Sequence, residues 1–251
     1  MNKQNILSDL AGKIYVVPSD ARKQDLIDDL KAMETPAVLS FVNAHAVNLC
    51  FENKSFLADL LGSDWLLRDG SGMKLAYMFW SERPGLNMNG TDFIPDLLCQ
   101  FWGETCMAFG TTNPNLEYAV DKINGLGVEV IGYEDGFQSL EWYLQKSKQY
   151  RPRLILLGMG MPKQESLSAL LKRKLDYPVL IINGGAILDF LSGNIKRSPK
   201  LIRSFGMEWV WRLALEPSRL WQRYLIGNIK FIYRILTVSN FRFSDKRRGA
   251  Q

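Results

Sequence analysis

Asp69 is the carboxylate whose sequence neighbours best prepare it to take a proton. It stands in LRDGSGM, where an apolar run, WLL, ends at Arg68-Asp69 and the glycines Gly70 and Gly72 let backbone approach a ligand closely. A carboxylate there can serve an acceptor hydroxyl as general base, or it can cap the helix that follows. GMGMPKQE, residues 158–165, is a glycine turn entering a helix with Pro162 near the first turn. Free amides around Gly158 and Gly160 and the positive helix end suit a phosphate or a sugar hydroxyl, and Gln164 can hydrogen-bond a substrate. The competing reading is a tight strand-to-helix connection with Lys163 and Glu165 on the surface. NGGAILDFLSGNIKRSP, residues 183–199, repeats the pattern with Gly184, Gly185 and Asp189. Asn43 in FVNAHAVN is a polar group suited equally to a ligand or to a helix cap. Its neighbour His45, the only histidine in the chain, is either a base or, lacking an evident partner, structural.

These groups need strands to carry them. Six apolar runs, IYVV (14–17), AVLSFV (37–42), TCMAFG (105–110), VEVIG (128–132), LILLGM (154–159) and PVLIING (178–184), are separated by segments of helical length. Strands that are apolar throughout and alternate with helices predict a parallel sheet covered on both faces, an α/β Rossmann-like core over roughly residues 10–200. Ligands of such sheets sit outside the carboxyl ends of the strands. The polar turns beginning at Asn43, Gly110, Gly158 and Asn183 are therefore expected to share one edge. No P-loop is present and no GxGxxG follows the first strand, which argues against an ATPase or an ordinary dinucleotide-dependent dehydrogenase.

Composition narrows the class further. Cys50, Cys99 and Cys106 fall in apolar surroundings without metal-ligand spacing, so buried reduced thiols are expected and a zinc site is not. The opening residues lack the long apolar core of a signal peptide, and no run of about 18 uncharged apolar residues occurs, so neither export nor a membrane span is expected. The net charge of +5 is uneven: residues 203–251 carry ten Lys/Arg against three acids, the rest 21 against 23. Beyond Ser204 the chain is rich in Trp, Tyr, Phe and Arg, and Pro217 suits the first turn of a helix. From there Arg219, Arg223, Lys230 and Arg234 fall within about 60° on a regular helix, with Leu220, Trp221, Tyr224, Leu225, Phe231, Ile232 and Ile235 on the other side. This predicts a cationic amphipathic helix.

Seven segments in order, FVNAHAVNL, DGSGM, NGTDF, FGTTNPNLE, LGMGMPKQE, NGGAILDFLSGNIKRSP and EWVWRLALEPSRLWQRY, together resemble the successive motifs of the WecG/TagA/CpsF glycosyltransferases, glycosyltransferase family 26, over residues 37–228. The resemblance implies an inverting transferase that takes a UDP-sugar as co-substrate and an undecaprenyl-diphosphate-linked sugar as acceptor, with no cofactor and no metal. It makes Asp69 the base, and places Gln164 and Asn43 in the site. It also implies a core of residues 1–203 and a C-terminal helical appendage, residues 204–251, that touches the membrane and contributes Arg212 and Arg219, with Arg223 beside them. Catalytic roles then fall to Asp69, Gln164, Arg212 and Arg219. Substrate binding falls to Asn43, Gly70, Gly72, Gly110, Gly158, Gly160, Pro162, Lys163, Gly184, Gly185 and Arg223.

The physical requirement is independent of the name. A leaving UDP and an acceptor diphosphate both carry charge that, without a metal, cationic side chains must stabilise. One departure from the family pattern is Phe41, where a threonine two residues before Asn43 is usual. The expected protein is cytoplasmic, held on the inner face of the cytoplasmic membrane, and has no nucleic-acid partner; self-association is another use for an apolar helix side. The rival readings are an NAD-dependent nucleotide-sugar modifying enzyme and a non-enzymatic module binding membrane or nucleic acid.

Overall fold

The computed structural model describes residues 3–237. Residues 238–251 of the expected appendage lie outside the described residues. Seven strands, β1 (Ile14–Tyr15), β2 (Ala37–Val42), β3 (Trp65–Arg68), β4 (Thr105–Gly110), β5 (Glu129–Glu134), β6 (Leu154–Gly158) and β7 (Leu180–Asn183), form one sheet in the order β1-β3-β2-β7-β6-β4-β5. Every pairing is parallel. The expected Rossmann-like α/β fold is what the chain adopts.

Helices on both faces explain the uninterrupted apolar runs. Along β2, Val38 packs with Tyr143, Leu167 and Leu171 on one face, while Leu39 and Phe41 pack with Leu26, Phe93 and Leu97 on the other. A strand buried on both sides has no polar face to alternate with. Strands from the first 68 residues build one half of the sheet, strands from residue 105 onward build the other, and β2 meets β7 in the middle.

Two strand expectations change. Only Ile14 and Tyr15 of IYVV pair; Val17 leaves the sheet edge, its carbonyl accepting from the Leu86 amide at 2.7 Å, and Pro18 has no donor to continue. WLLR, absent from the expected strands, is β3, inserted between β1 and β2. It is short and ends in a charge, but Arg68 is buried because its guanidinium donates to the carbonyls of Pro84, Gly70 and Gly85. Cys50 and Cys106 are buried thiols as expected, whereas Cys99 is exposed on the helix Gly90–Gln100; all three are free.

After β7 the chain forms short helices Lys200–Ser204 and Glu208–Leu215, then a run from Pro217 to Thr237. That run is α-helical over Pro217–Trp221, π-helical over Gln222–Ile226 and α-helical again over Gly227–Thr237. A π turn holds an extra residue, which rotates the two halves by roughly 100° relative to a regular helix. The single cationic face therefore divides: Arg219 and Arg223 turn toward the sheet edge, while Lys230 and Arg234 pair sideways with Glu52. The expected apolar side divides too. Leu220, Phe231 and Ile235 are buried, and Phe231 and Ile235 join a core with Ala46, Val47 and Met73. Trp221, Leu225 and Ile232, with Ile226, Ile229, Tyr233 and Leu236, stay exposed. Among the described residues no helix is long and apolar enough to cross a membrane.

Candidate active site

The strand register brings the first two polar groups together. Val42 stands opposite Arg68, so the next residues, Asn43 and Asp69, leave neighbouring strand ends side by side. Asn43 serves two masters: its Oδ1 accepts from the Ala46 amide at 3.0 Å, capping the helix Ala44–Glu52, and its Nδ2 donates to Asp69 Oδ2 at 3.4 Å. Asp69 occupies the cap position of the helix Gly70–Phe79 but makes no capping hydrogen bond, so the capping reading of this residue gives way. Burial pushes its carboxyl up to about 6; the Asn43 hydrogen bond opposes this, Glu208 adds to it, and Arg223 and Arg68 oppose it. A carboxylate poised there is ionised at neutral pH yet basic enough to accept a hydroxyl proton in a transition state.

Beside this pair lies a cavity of about 340 Å³ at the carboxyl ends of β3, β2, β7 and β6. It adjoins a second of about 380 Å³, and Thr91, Ile187 and Phe190 belong to both walls. Of the residues expected at a site, Asn43, Asp69, Gly158, Gly160, Gln164, Gly184, Gly185, Arg212, Arg219 and Arg223 line the first cavity. Gln164 is 1% exposed; its Oε1 accepts from the Gly185 amide at 3.0 Å and its Nε2 donates to Glu165 Oε1 at 2.8 Å. The amide thus holds the Gly184-Gly185 turn in place and keeps one N–H for a ligand. Glu165, which the competing reading put on the surface, is buried behind it, and burial pushes its carboxyl up to about 7.

The other five expected residues lie outside the cavity wall, each for a local reason. The Gly70 amide donates to Asn87 Oδ1 at 2.9 Å, closing the turn after Asp69. Gly72 faces Ala44 and Phe231, where it lets helices approach. Gly110, with φ +138°, abuts the backbone of Gly158 on the adjacent strand, and a side chain there would collide with that carbonyl. Pro162 caps the helix Lys163–Lys174, and Lys163 Nζ ties down the loop after β5 through the carbonyls of Gly136 (2.7 Å) and Gln138 (3.0 Å).

Three arginines from the C-terminal helices face the cavity. Arg212 lies over the Phe190 ring at 5.4 Å, and Arg219 pairs with Glu216. Arg223 lies over Tyr224 at 5.7 Å; burial, and then the charges of Arg212 and Arg219, favour its losing a proton against the pull of Tyr224 and Asp69. The Nε atoms of Arg212 and Arg223 are buried without a hydrogen-bond partner. Buried donors left open at a cavity edge are what an anion would satisfy. Among the described residues no group of three or more His, Cys, Asp or Glu is arranged to hold a metal.

Several wall residues were not singled out from the sequence. Thr91, Met159, Met161 and Phe190 fall inside the quoted motifs, but their residue types gave no reason to pick them out as site residues. Asp189, noted only as part of its motif, is steered by Thr111 Oγ1 at 2.6 Å. Phe41 lies in the cavity floor, and Ser40 beside it points the other way, within hydrogen-bonding distance of Ser63 and accepting from Asn183. The adjacent hydroxyl therefore does not stand in for the missing threonine.

A doubly wound α/β sheet with a carboxylate and a group of arginines converging on one strand-end cavity has the makings of a group-transfer enzyme. The family model described as "Glycosyl transferase WecG/TagA/CpsF family" matches residues 13–245, and the chain belongs to that family of glycosyltransferases. It is 26% identical over 194 residues, 75% of each chain, to a protein of Bacillus subtilis (strain 168) named N-acetylglucosaminyldiphosphoundecaprenol N-acetyl-beta-D-mannosaminyltransferase. Proteins of the same name from Bacillus spizizenii and Staphylococcus aureus (strain NCTC 8325 / PS 47) are 26% and 24% identical, over 69% and 77% of each chain.

Proposed function

We propose that this glycosyltransferase moves a sugar from a UDP-sugar onto an undecaprenyl-diphosphate-linked acceptor sugar in the building of a bacterial surface polysaccharide. The observation that carries this reading is the convergence of Asp69, poised near 6, with the open guanidinium donors of Arg212 and Arg223 on one cavity. The relatives named for transfer to N-acetylglucosaminyldiphosphoundecaprenol support the lipid-linked acceptor. Two adjoining cavities suit a reaction that must hold two substrates at once.

In the proposed step Asp69 takes the proton of the acceptor hydroxyl as its oxygen attacks the anomeric carbon. The bond to UDP breaks on the opposite face, so the configuration inverts. Arg212, Arg219 and Arg223 bear the negative charge that collects on the departing diphosphate, work done elsewhere by a metal ion. Asn43 holds the Asp69 carboxylate in line and Gln164 keeps the glycine turn open to the sugar. Phe41 replaces a hydroxyl with an apolar wall and so changes which donor sugars fit.

The exposed stripe of Trp221, Leu225, Ile229, Ile232 and Leu236 supports peripheral attachment to the membrane that holds the acceptor. The test is UDP release from a panel of UDP-sugars in detergent with EDTA, with and without a synthetic lipid-diphosphate-linked sugar. The expected result is release that depends on the acceptor and occurs with one donor or a narrow set. Folded protein that releases nothing across the panel overturns the reading, and release abolished by EDTA overturns its metal independence.

A further inference from the structure

His45 has no place in the mechanism above, yet it lines the cavity. It is the second residue of the helix Ala44–Glu52, whose first turn is held at the cavity by Asn43, and whose positive end favours an anion. Among the described residues no hydrogen bond engages either nitrogen of the ring. Arg223 approaches from the C-terminal helix, Glu52 stands on the same helix as His45, and Asp69, Arg212 and Arg219 share the cavity.

We propose that His45 is a further ligand of the substrate diphosphate, taking up a proton as the diphosphate binds. This rests on the reading that a diphosphate occupies the arginine side of the cavity. Burial, and then the Arg223 charge, hold the imidazole down at about 4 against the weaker pull of Glu52, so the ring is neutral near pH 6 and above. An imidazolium there would be one more cation in a cluster that already repels itself. A bound diphosphate reverses the sign of that field. The proton comes from solvent, the ring N–H donates to a phosphate oxygen, and no covalent bond changes. Protonation and diphosphate binding then reinforce one another reciprocally: a rise of two pH units in the midpoint corresponds to about a hundredfold tighter diphosphate binding by the protonated form.

Because the chain contains one histidine, its ring signals report this residue alone. The native chain labelled with 15N-histidine is observed at pH 6 without ligand, and then with saturating UDP, inorganic pyrophosphate or a short-chain prenyl diphosphate. The expected result is a neutral ring in the free protein and an imidazolium in a diphosphate complex. A response to UDP and pyrophosphate assigns the nucleotide diphosphate as partner. A response to the prenyl diphosphate alone supports the ligand role but assigns the lipid-linked diphosphate. A ring that stays neutral with all three probes while calorimetry shows UDP bound overturns the proposal and leaves the donor reading standing. UDP and pyrophosphate that fail to bind at all, with the ring unmoved by the prenyl diphosphate, overturn both. As a second readout, UDP affinity is compared at pH 6 and pH 8 for the native chain and His45→Gln, the variant allowing for titration of UDP itself. With a two-unit rise the native chain is expected to gain about twofold more than the variant at the lower pH, and more for a larger rise; equal gains overturn the proposal.

Discussion

Asp69 and Arg223 line one cavity, and they are held there in different ways. Asp69 stands at the end of β3, beside Asn43 by strand register, in a floor whose polar groups are tied into the sheet. Arg223 sits on a π-helical turn of a C-terminal run fastened mainly at its far end. There Phe231 and Ile235 are buried, Asn48 Nδ2 donates to the Gly227 carbonyl at 2.7 Å, and Arg234 donates to Asn48 and Glu52. The floor is fixed by backbone pairing, the roof by side chains remote from the chemistry. A lesion in the floor should therefore change what the site does, and a lesion in the roof's anchors should change whether its cations arrive.

The largest effect expected is from Asp69→Asn. Loss of a general base should lower kcat by about 10²- to 10⁴-fold, measured by acceptor-dependent UDP release, with binding of UDP little changed. Near-native turnover in a folded variant would remove Asp69 from the role and make His45 the next residue to test. The native enzyme should show a companion pH dependence. The base works ionised, so kcat/KM should rise with pH through about 6 and level off above it. Stability runs the other way. Because the folded carboxyl holds its proton more tightly than the ordinary value near 4, the folded state loses stability as pH rises from about 4 to 6, and the cost is fully present above that. Asp69→Asn should accordingly melt no lower than the native chain at pH 8; a markedly lower melting temperature would mean that Asp69 supports the fold.

Phe231→Ala is the corresponding break in the roof. Removing a ring that is 2% exposed in a packed core should cost about 3–5 kcal/mol in denaturant unfolding. If the roof is separately fastened, the loss should include early exposure of the C-terminal run to proteolysis; uniform destabilisation of the whole chain would show the two regions to be one cooperative unit. Arg223→Ala is milder and sharper. A charged hydrogen bond to a diphosphate is worth about 1.5–3 kcal/mol, so UDP affinity should fall roughly tenfold to a hundredfold by calorimetry, with the fold intact. Unchanged UDP affinity would take Arg223 out of the diphosphate site.

The same division explains what could be read from the sequence. AVLSFV and LILLG announce themselves as buried strands, and the polar residues that follow such runs had to gather at one edge, which is why Asn43, Gly158 and Gly184 were legible as a floor. WLLR was not, because four residues ending in Arg68 look like a strand only once three backbone carbonyls are seen to accept from that guanidinium. The competing reading put Glu165 on the surface for a related reason: an acid in the first turn of a helix usually faces water, but this helix starts over the sheet end, and its first turn packs inward behind Gln164. In the roof a regular helical wheel put all four cations on one side. The π turn at 222–226, which no residue type in QRYLI signals, gives two of them to the cavity and two to Glu52.

Glu52→Gln supplies the smallest effect, and it probes how sensitive the roof is to its anchors. Glu52 accepts from Arg234 at 3.0 Å and Lys230 at 3.4 Å; the carboxylate and Lys230 are exposed, Arg234 is partly buried, and the Arg234 hydrogen bond holds the carboxyl below the usual range. Such pairs are worth about 0–1 kcal/mol and weaken in salt. Arg234 also keeps its 2.6 Å hydrogen bond to Asn48 Oδ1, so the helix retains a second fastening when the charge is removed. A carboxyl held low stabilises the fold above its unfolded midpoint and stops doing so as pH falls through the folded one; any native advantage over the variant should therefore be present at pH 7 and disappear in acid. The expected outcome is a shift in melting temperature of a few degrees at most, smaller still in high salt, with UDP affinity within about twofold of native. If this substitution instead weakens UDP binding as much as Arg223→Ala, the placement of the arginines depends on a surface ion pair far from the cavity, and the buried ring of Phe231 is not by itself enough to hold the roof over the floor.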